Sequence, residues 1–246
     1  PNERDRLDYR AGCRTGAKVR VTQRLGELPR VHVVTNDEVL SRDGWLRTAM
    51  SVLEVGGPAV ALHLRAPRGD GRSIFRLIID LLPVAERTKS WLVGNDRVDA
   101  GMAAGVGAIH LGGRSLPLKV ARRLVAAGVR LGVSGHSVKD ATEAQRGGAD
   151  YAFVGTVFAS ASHPGVQGMG LEAFERVSAG TEDWPLVGIG GIGVERAGSV
   201  VAAGAHGVAA IAGIWNAQSP AVAVRGYIEA VEAVSCGVGH EMRREA

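Results

Sequence analysis

Residues able to do chemistry recur in this sequence just after short apolar runs. They are Thr35 and Asn36; His63 and Arg65; Asn95 and Asp96; His110 and Gly112; Ser134 and His136; Thr156 through His163; Gly190 and Gly191; and Ala212 and Gly213. An imidazole titrates near neutral pH, so His136 can move a proton between two atoms of a ligand; a lone histidine can equally be structural. The Arg65 guanidinium can hold a carboxylate or phosphate through two parallel bonds, or pair with a neighbouring acid such as Asp96. Two glycine-rich turns, Gly188-Ile189-Gly190-Gly191-Ile192 and Ala210-Ile211-Ala212-Gly213-Ile214, can bring backbone N–H groups against a phosphate, or simply reverse the chain. The stretch Phe158 to Gly170, with Ser160, Ser162 and His163, has the composition of a lid over a ligand and also of an ordinary surface loop.

The elements that must position these groups follow from periodicity. Eight apolar runs (Val31–Thr35, Ala59–Arg65, Trp91–Gly94, Ala108–Gly112, Leu131–Ser134, Tyr151–Val157, Leu186–Gly190 and Gly207–Ile211) are continuous rather than alternating, as in strands buried on both faces. Helical patterns lie between them, near 44–55, 72–87, 97–104, 117–127, 138–147, 170–179, 194–203 and 218–233. Three segments share an Ala-Ala-Gly ending, at Gly105, Gly128 and Gly204, which reads as a helix stopping on a left-handed residue. Eight such units close a parallel sheet into a (β/α)₈ TIM barrel, whose sites lie at the C-terminal ends of the strands. An open doubly wound sheet would carry a dinucleotide fingerprint in its first turn, and Asn36-Asp37-Glu38 stands there instead. In barrels, phosphate commonly sits between the turns after strands seven and eight, the places of Gly190, Gly191, Ala212 and Gly213.

Bulk properties limit the partners. The 246 residues suit one barrel domain. Aromatics make up 4% and glycines number 35, so the expected core is Val, Ile, Leu and Ala. The net charge is +4, but residues 1–30 hold eight of the 29 basic and four of the 25 acidic residues, leaving 21 of each sign for the rest. We therefore expect a polar, solvated extension at 1–28, a barrel at 29–235 and a tail at 236–246, with no nucleic-acid partner. Cys13 and Cys236, one in each expected tail, have no metal-ligand spacing. No run approaches the ~20 apolar residues of a membrane span, and no apolar signal region opens the chain, so the expected location is the cytoplasm. The assembly is left open, with a homodimer among the options.

The same residues resemble a family. Leu92-Val93-Gly94-Asn95-Asp96-Arg97-Val98-Asp99 is similar to the "NDRvd" segment of thiamine phosphate synthases, and Gly107 to Gly112 to their "GvHLGq". Gly132-Val133-Ser134-Gly135-His136-Ser137 resembles "GvSaHt", Gly148 to Phe158 "gADYvgvGpvf", Val187 to Ile192 "vaIGGI", and Gly204 to Ala209 "aGAdGvAv". The matches run in order from about residue 30 to 230. The resemblance implies thiamine biosynthesis on a phosphorylated thiazole in the thiamine phosphate synthase/TenI superfamily. Synthases of the family join a pyrimidine diphosphate to a thiazole phosphate with Mg²⁺.

This sequence departs from their pattern at three places. The "QLReK" motif appears as His63-Leu64-Arg65-Ala66-Pro67, the second metal Asp of "GQeD" as Ser115, and the lid's "pTxTK" as Ala159-Ser160-Ala161-Ser162-His163. That selection resembles the TenI branch. It implies a thiazole tautomerase needing no cofactor, with His136 moving the proton. Ligand contacts would come from His63, Arg65, Asn95, Ser134, Ser160, Ser162 and His163, and phosphate contacts from Gly190, Gly191, Ala212 and Gly213. The alternatives are a synthase, with Asp96 holding Mg²⁺, and a non-catalytic regulator that binds thiazole or thiamine phosphate.

Overall fold

A computed structural model describes residues 23–160, 165 and 167–241, with side chains in the last helix to Val234. The eight expected strands form: β1 Val31–Val34, β2 Val60–Leu64, β3 Trp91–Asn95, β4 Ala108–Leu111, β5 Arg130–Gly135, β6 Tyr151–Gly155, β7 Leu186–Ile189 and β8 Gly207–Ala210. Each pairs in parallel with the next, and β8 returns to β1 through Val31↔Val208, closing the barrel. Between and after them run α1 Asp37–Leu40, α2 Trp45–Gly56, α3 Gly71–Thr88, α4 Val98–Ala104, α5 Leu118–Leu124, α6 Val138–Arg146, α7 Leu171–Ala179, α8 Val194–Ala202, α9 Ala212–Trp215 and α10 Pro220–Glu241. Gly105 and Gly204 take φ of 82° and 95° at the ends of α4 and α8, as their Ala-Ala-Gly context predicts, whereas α5 stops at Leu124 and Gly128, at φ 87°, shapes the turn that follows it. The four-residue helices α1 and α9 are not legible in the periodicity, because one helical turn is too short to show a 3.6-residue repeat.

Strand alternation sorts the core into two shells. Val31, Val33, Leu62, Leu64, Ile109 and Leu131 face outward and pack on helix residues such as Ile74, Leu81, Phe174 and Val200. The inward set is Val34, Ala61, Trp91, Val93, Ala108, Tyr151, Phe153, Val187 and Ala209. The expected aliphatic core describes the outer shell only. Inside, the small residues Ala61, Ala108, Gly132 and Ala209 leave volume that Trp91, Tyr151 and Phe153 occupy, since a barrel of this size is filled by its own side chains.

The expected domain limits shift at both ends. Residues 23–28 are part of the barrel rather than a solvated extension: Gln23 is 3% exposed, and Leu25 and Leu28 pack against the inward cluster. The Gln23 amide donates to Ser90 O at 2.9 Å and accepts the N–H groups of Leu92 and Gly107 at 3.3 Å. It thereby satisfies backbone groups that would otherwise be buried unpaired at the strand starts. At the other end α10 runs through Glu241, past the expected limit at 235. Residues 1–22, including Cys13, and 242–246 lie outside the described residues. Among the described residues no helix is long and apolar enough to cross a membrane.

Tyr151 fills its space only because Gly132 has no side chain: a Cβ on Gly132 would lie 2.2 Å from Tyr151 Cζ. Gly132→Ala is expected to destabilise the protein by ~1–3 kcal/mol through overpacking. Gly113→Ala, with nothing within 4 Å of the added carbon, should change stability little. Denaturant unfolding of the two variants makes the comparison, and equal midpoints would show that the interior can relax around Tyr151.

Candidate functional site

Inward-facing positions near the C-terminal strand ends carry polar groups although the strands themselves are apolar. The structure brings His63 and Arg65 from β2, Asn95 from β3, His110 from β4, and Ser134 and His136 from the end of β5 to one mouth. Below them His32, on β1, completes a column of imidazoles packed on the aromatic filling. The Phe153 ring lies 4.9 Å from His63 and 4.2 Å from His110, and His32 stands 5.2 Å from Phe153.

Hydrogen bonds link this column from bottom to mouth. His32 Nε2 meets Pro29 O at 2.9 Å, His32 Nδ1 meets His63 Nε2 at 2.9 Å, and His63 Nδ1 meets the Asn95 amide at 3.1 Å. Beside it, His110 Nε2 bonds Ser134 Oγ at 2.9 Å and its Nδ1 faces the Tyr151 hydroxyl at 3.4 Å. Burial pushes His32 and His63 well below the usual imidazole range, with neighbouring histidines adding to the effect. Burial likewise holds His110 down at about 3, helped by His32 and the Arg65 charge. All three rings are therefore neutral at physiological pH, as buried bases without an acid partner must be.

His136 is different, being exposed at the mouth. Its Nδ1 is in close contact with Gly155 O, and its backbone N–H donates to Asp140 Oδ2 at 2.8 Å, a bond that keeps the Asp140 carboxyl below its ordinary range. A carbonyl oxygen only accepts, so Nδ1 carries a proton and Nε2 is the nitrogen left to exchange one. Among the described residues nothing bonds that Nε2. A base oriented by a fixed partner and open on its other side is the arrangement proton transfer needs.

Arg65 is half-buried, its backbone held by the Thr35 hydroxyl at 2.9 Å. The alternative reading of an ion pair with Asp96 is not what forms: among the described residues Arg65 has no carboxylate partner. Asp96 instead accepts the Gly112 N–H at 2.8 Å and the Ser115 hydroxyl through the same oxygen, Oδ1. Among the described residues no cluster of three His, Cys, Asp or Glu side chains could hold a metal.

The two glycine turns follow β7 and β8, and close packing requires glycine in each. Gly190 and Gly191 take φ of 101° and 63°, and a Cβ on Gly191 would lie 2.5 Å from Ala159 O. Glycine is thus needed because the loop after β6 lies on this turn, with Phe158 N–H donating to Gly190 O at 3.0 Å. Gly213 makes room for the Tyr227 hydroxyl, which donates to Ile192 O at 2.7 Å and ties α10 to the turn after β7. The N–H groups of Gly191, Ala212 and Gly213 donate to no protein acceptor among the described residues.

Ser160 has a buried hydroxyl with no partner among the described residues. Ser162 and His163 lie outside the described residues. Sequence reasoning passed over His32 and Tyr151 and noted His110 without assigning it a role. The available signal was a histidine at an inward position in each of three apolar strands.

The family described as thiamine monophosphate synthase matches residues 31–214. The thiamine-phosphate synthase of Chlorobium luteolum is 35% identical over 184 residues, 74% of this chain and 86% of the relative. That of Methanoculleus marisnigri is 35% identical over 196 residues, covering 79% and 92%. Among solved structures, a thiamine phosphate pyrophosphorylase from Pyrococcus furiosus superposes with a TM-score of 0.73 at 26% identity, covering 83% of this chain and 96% of the other.

The buried imidazoles make stability pH-dependent. Below about pH 6.5 the unfolded chain protonates His32, His63 and His110 and the folded chain does not, so the unfolded state binds more protons and acidification destabilises the fold. Three such groups give a slope approaching ~4 kcal/mol per pH unit once the unfolded rings are fully charged. Urea unfolding at a series of pH values should show the loss between about pH 6 and 4; a flat profile there would mean that the rings are protonated in the native state.

Proposed function

Because this chain belongs to the thiamine monophosphate synthase family and is a thiamine-biosynthesis enzyme by that membership, we propose that its own reaction is the isomerisation of a carboxylated thiazole phosphate by proton transfer, as in the TenI branch. The observation carrying this reading is His136, whose Nδ1 proton is committed to Gly155 O and whose Nε2 is open at the mouth. Nε2 takes a proton from one ligand atom, and the imidazolium returns it to another as the ring becomes aromatic. Arg65 and the hydroxyls of Ser134, Ser160 and Ser162, with His163, hold the carboxylate end. The free N–H groups of Gly191, Ala212 and Gly213, with Gly190 giving the turn its shape, hold the phosphate. His63 and Asn95 line the floor between them.

A second reading has support of its own: the relatives carry the name of the synthase, a transferase. When bound, Mg²⁺ would neutralise a departing diphosphate. The donor set fits it thinly. Mg²⁺ is commonly held by one or two carboxylates completed by water and substrate phosphates. Here Asp96 Oδ2 is the single anionic anchor, beside the neutral Ser115. Pro67 and His163 stand where the synthase pattern has lysines.

The deciding assay follows the carboxylated thiazole phosphate by ultraviolet absorbance and NMR without added metal. The wild type should accelerate tautomerisation, and His136→Ala should lose about 10²–10⁴-fold of the rate. Only the spontaneous rate, together with thiamine phosphate formation from pyrimidine diphosphate and Mg²⁺, would install the second reading instead. Tight binding with no turnover in either assay would make the protein a binding regulator.

A further inference from the structure

We infer that His32 and His63 fix the hydrogen-bonding sense of Asn95, so that the barrel mouth presents a carbonyl oxygen there and takes a ligand group that donates a proton. The inference rests on the mouth being the binding site proposed above, and it adds which part of the ligand Asn95 receives.

Proton bookkeeping along the column leaves one arrangement. Pro29 O can only accept, so the His32 nitrogen 2.9 Å away, Nε2, carries a proton. A neutral ring has one N–H, which makes His32 Nδ1 an acceptor. Its partner at 2.9 Å, His63 Nε2, must then donate. His63 Nδ1 is therefore an acceptor in turn, and Asn95 Oδ1 stands 3.1 Å from it. Two acceptors do not bond. A half-turn of the amide about Cβ–Cγ keeps its shape and places Nδ2–H against His63 Nδ1. The Asn95 carbonyl oxygen then occupies the outer position, which has no protein partner among the described residues, on a residue that keeps 5% of its surface open.

The opposite sense would require a charged ring in the column. Among the described residues no carboxylate faces either one: the groups acting on His32 are His63, His206 and Pro29 O, and those acting on His63 are His110 and Asn95. An imidazolium there would be buried without a counter-ion. The neighbouring His110 shows what makes the column special. It bonds the hydroxyls of Ser134 and Tyr151, each able to donate or accept, so nothing dictates its sense. The backbone carbonyl at Pro29, relayed through two rings, thus decides a contact at the far end of the barrel.

The group received at Asn95 is consequently an N–H or O–H, such as an amino group, a hydroxyl or a protonated ring nitrogen. A carboxylate or phosphate there would meet an oxygen lone pair, so the anionic ends of the ligand belong at Arg65 and the glycine turns. His32 and His63 are positioning residues in this scheme: His32 touches no ligand, and both act through the amide of Asn95.

The test reads tautomers directly, in ligand-free enzyme with ring-¹⁵N histidine, and so does not depend on which reaction the protein performs. In the wild type both His32 and His63 should be neutral, protonated at Nε2 and bare at Nδ1; a proton on His63 Nδ1 overturns the inference without touching the proposed function. His32→Phe removes the acceptor for His63 Nε2–H. His63 should then shift to the Nδ1–H form and turn the Asn95 amide over. KM for the carboxylated thiazole phosphate should rise about 10-fold or more, with a smaller change in kcat. An unchanged His63 tautomer in that variant overturns the role of His32, and should the variant fail to fold, the wild-type spectrum decides alone.

Discussion

The inside of an eight-stranded barrel has to be filled by its own side chains, and here that filling combines three aromatic rings with three imidazoles. Trp91, Tyr151 and Phe153 occupy the space left by Ala61, Ala108, Gly132 and Ala209, and His32, His63 and His110 stack against them. An imidazole is close to an aromatic ring in shape but carries two polar atoms that must be satisfied once buried. The interior meets that demand with a chain of bonds from a backbone carbonyl at the bottom to an amide at the mouth, and beside it with the two hydroxyls that bond His110. Packing and polar satisfaction are thus solved by the same residues, and the mouth inherits its arrangement from below.

The rim obeys a second constraint, close approach of backbone. The loop after β6 lies on the turn after β7, and Tyr227 reaches from α10 to the same turn. Glycine is needed at both places for steric reasons, and the same lack of side chains leaves N–H groups uncovered. The packing requirement at Gly191 and Gly213 therefore falls on the same turns proposed to hold the phosphate. His136 follows a similar economy, since its bond to Gly155 O joins β5 to β6 and also selects the nitrogen that stays free.

Family membership and site chemistry bear on different questions. The match over residues 31–214 and the two synthases at 35% identity place the chain in thiamine biosynthesis. They do not distinguish reactions that share a barrel and a phosphorylated thiazole. We propose that the distinction lies in a few side chains, among them Pro67, Ser115 and His163, which stand where the synthase pattern has charged residues.

The sequence by itself determined the eight strands, their closure into a barrel and the end of it at which polar residues gather, because buried parallel strands read as continuous apolar runs and the chain repeats one unit eight times. It also marked His136, Arg65 and the two glycine turns, since polar residues directly after apolar strands stand out. Only the tertiary structure decided what those residues touch. That His136 donates to Gly155 O and that His32 reaches His63 are contacts between residues that lie 19 and 31 positions apart in sequence, and strand register rather than local pattern creates them. The packing of residues 23–28 beneath the barrel belongs to the same class: a short polar segment carries no period, and its place is set by the unpaired backbone groups it satisfies.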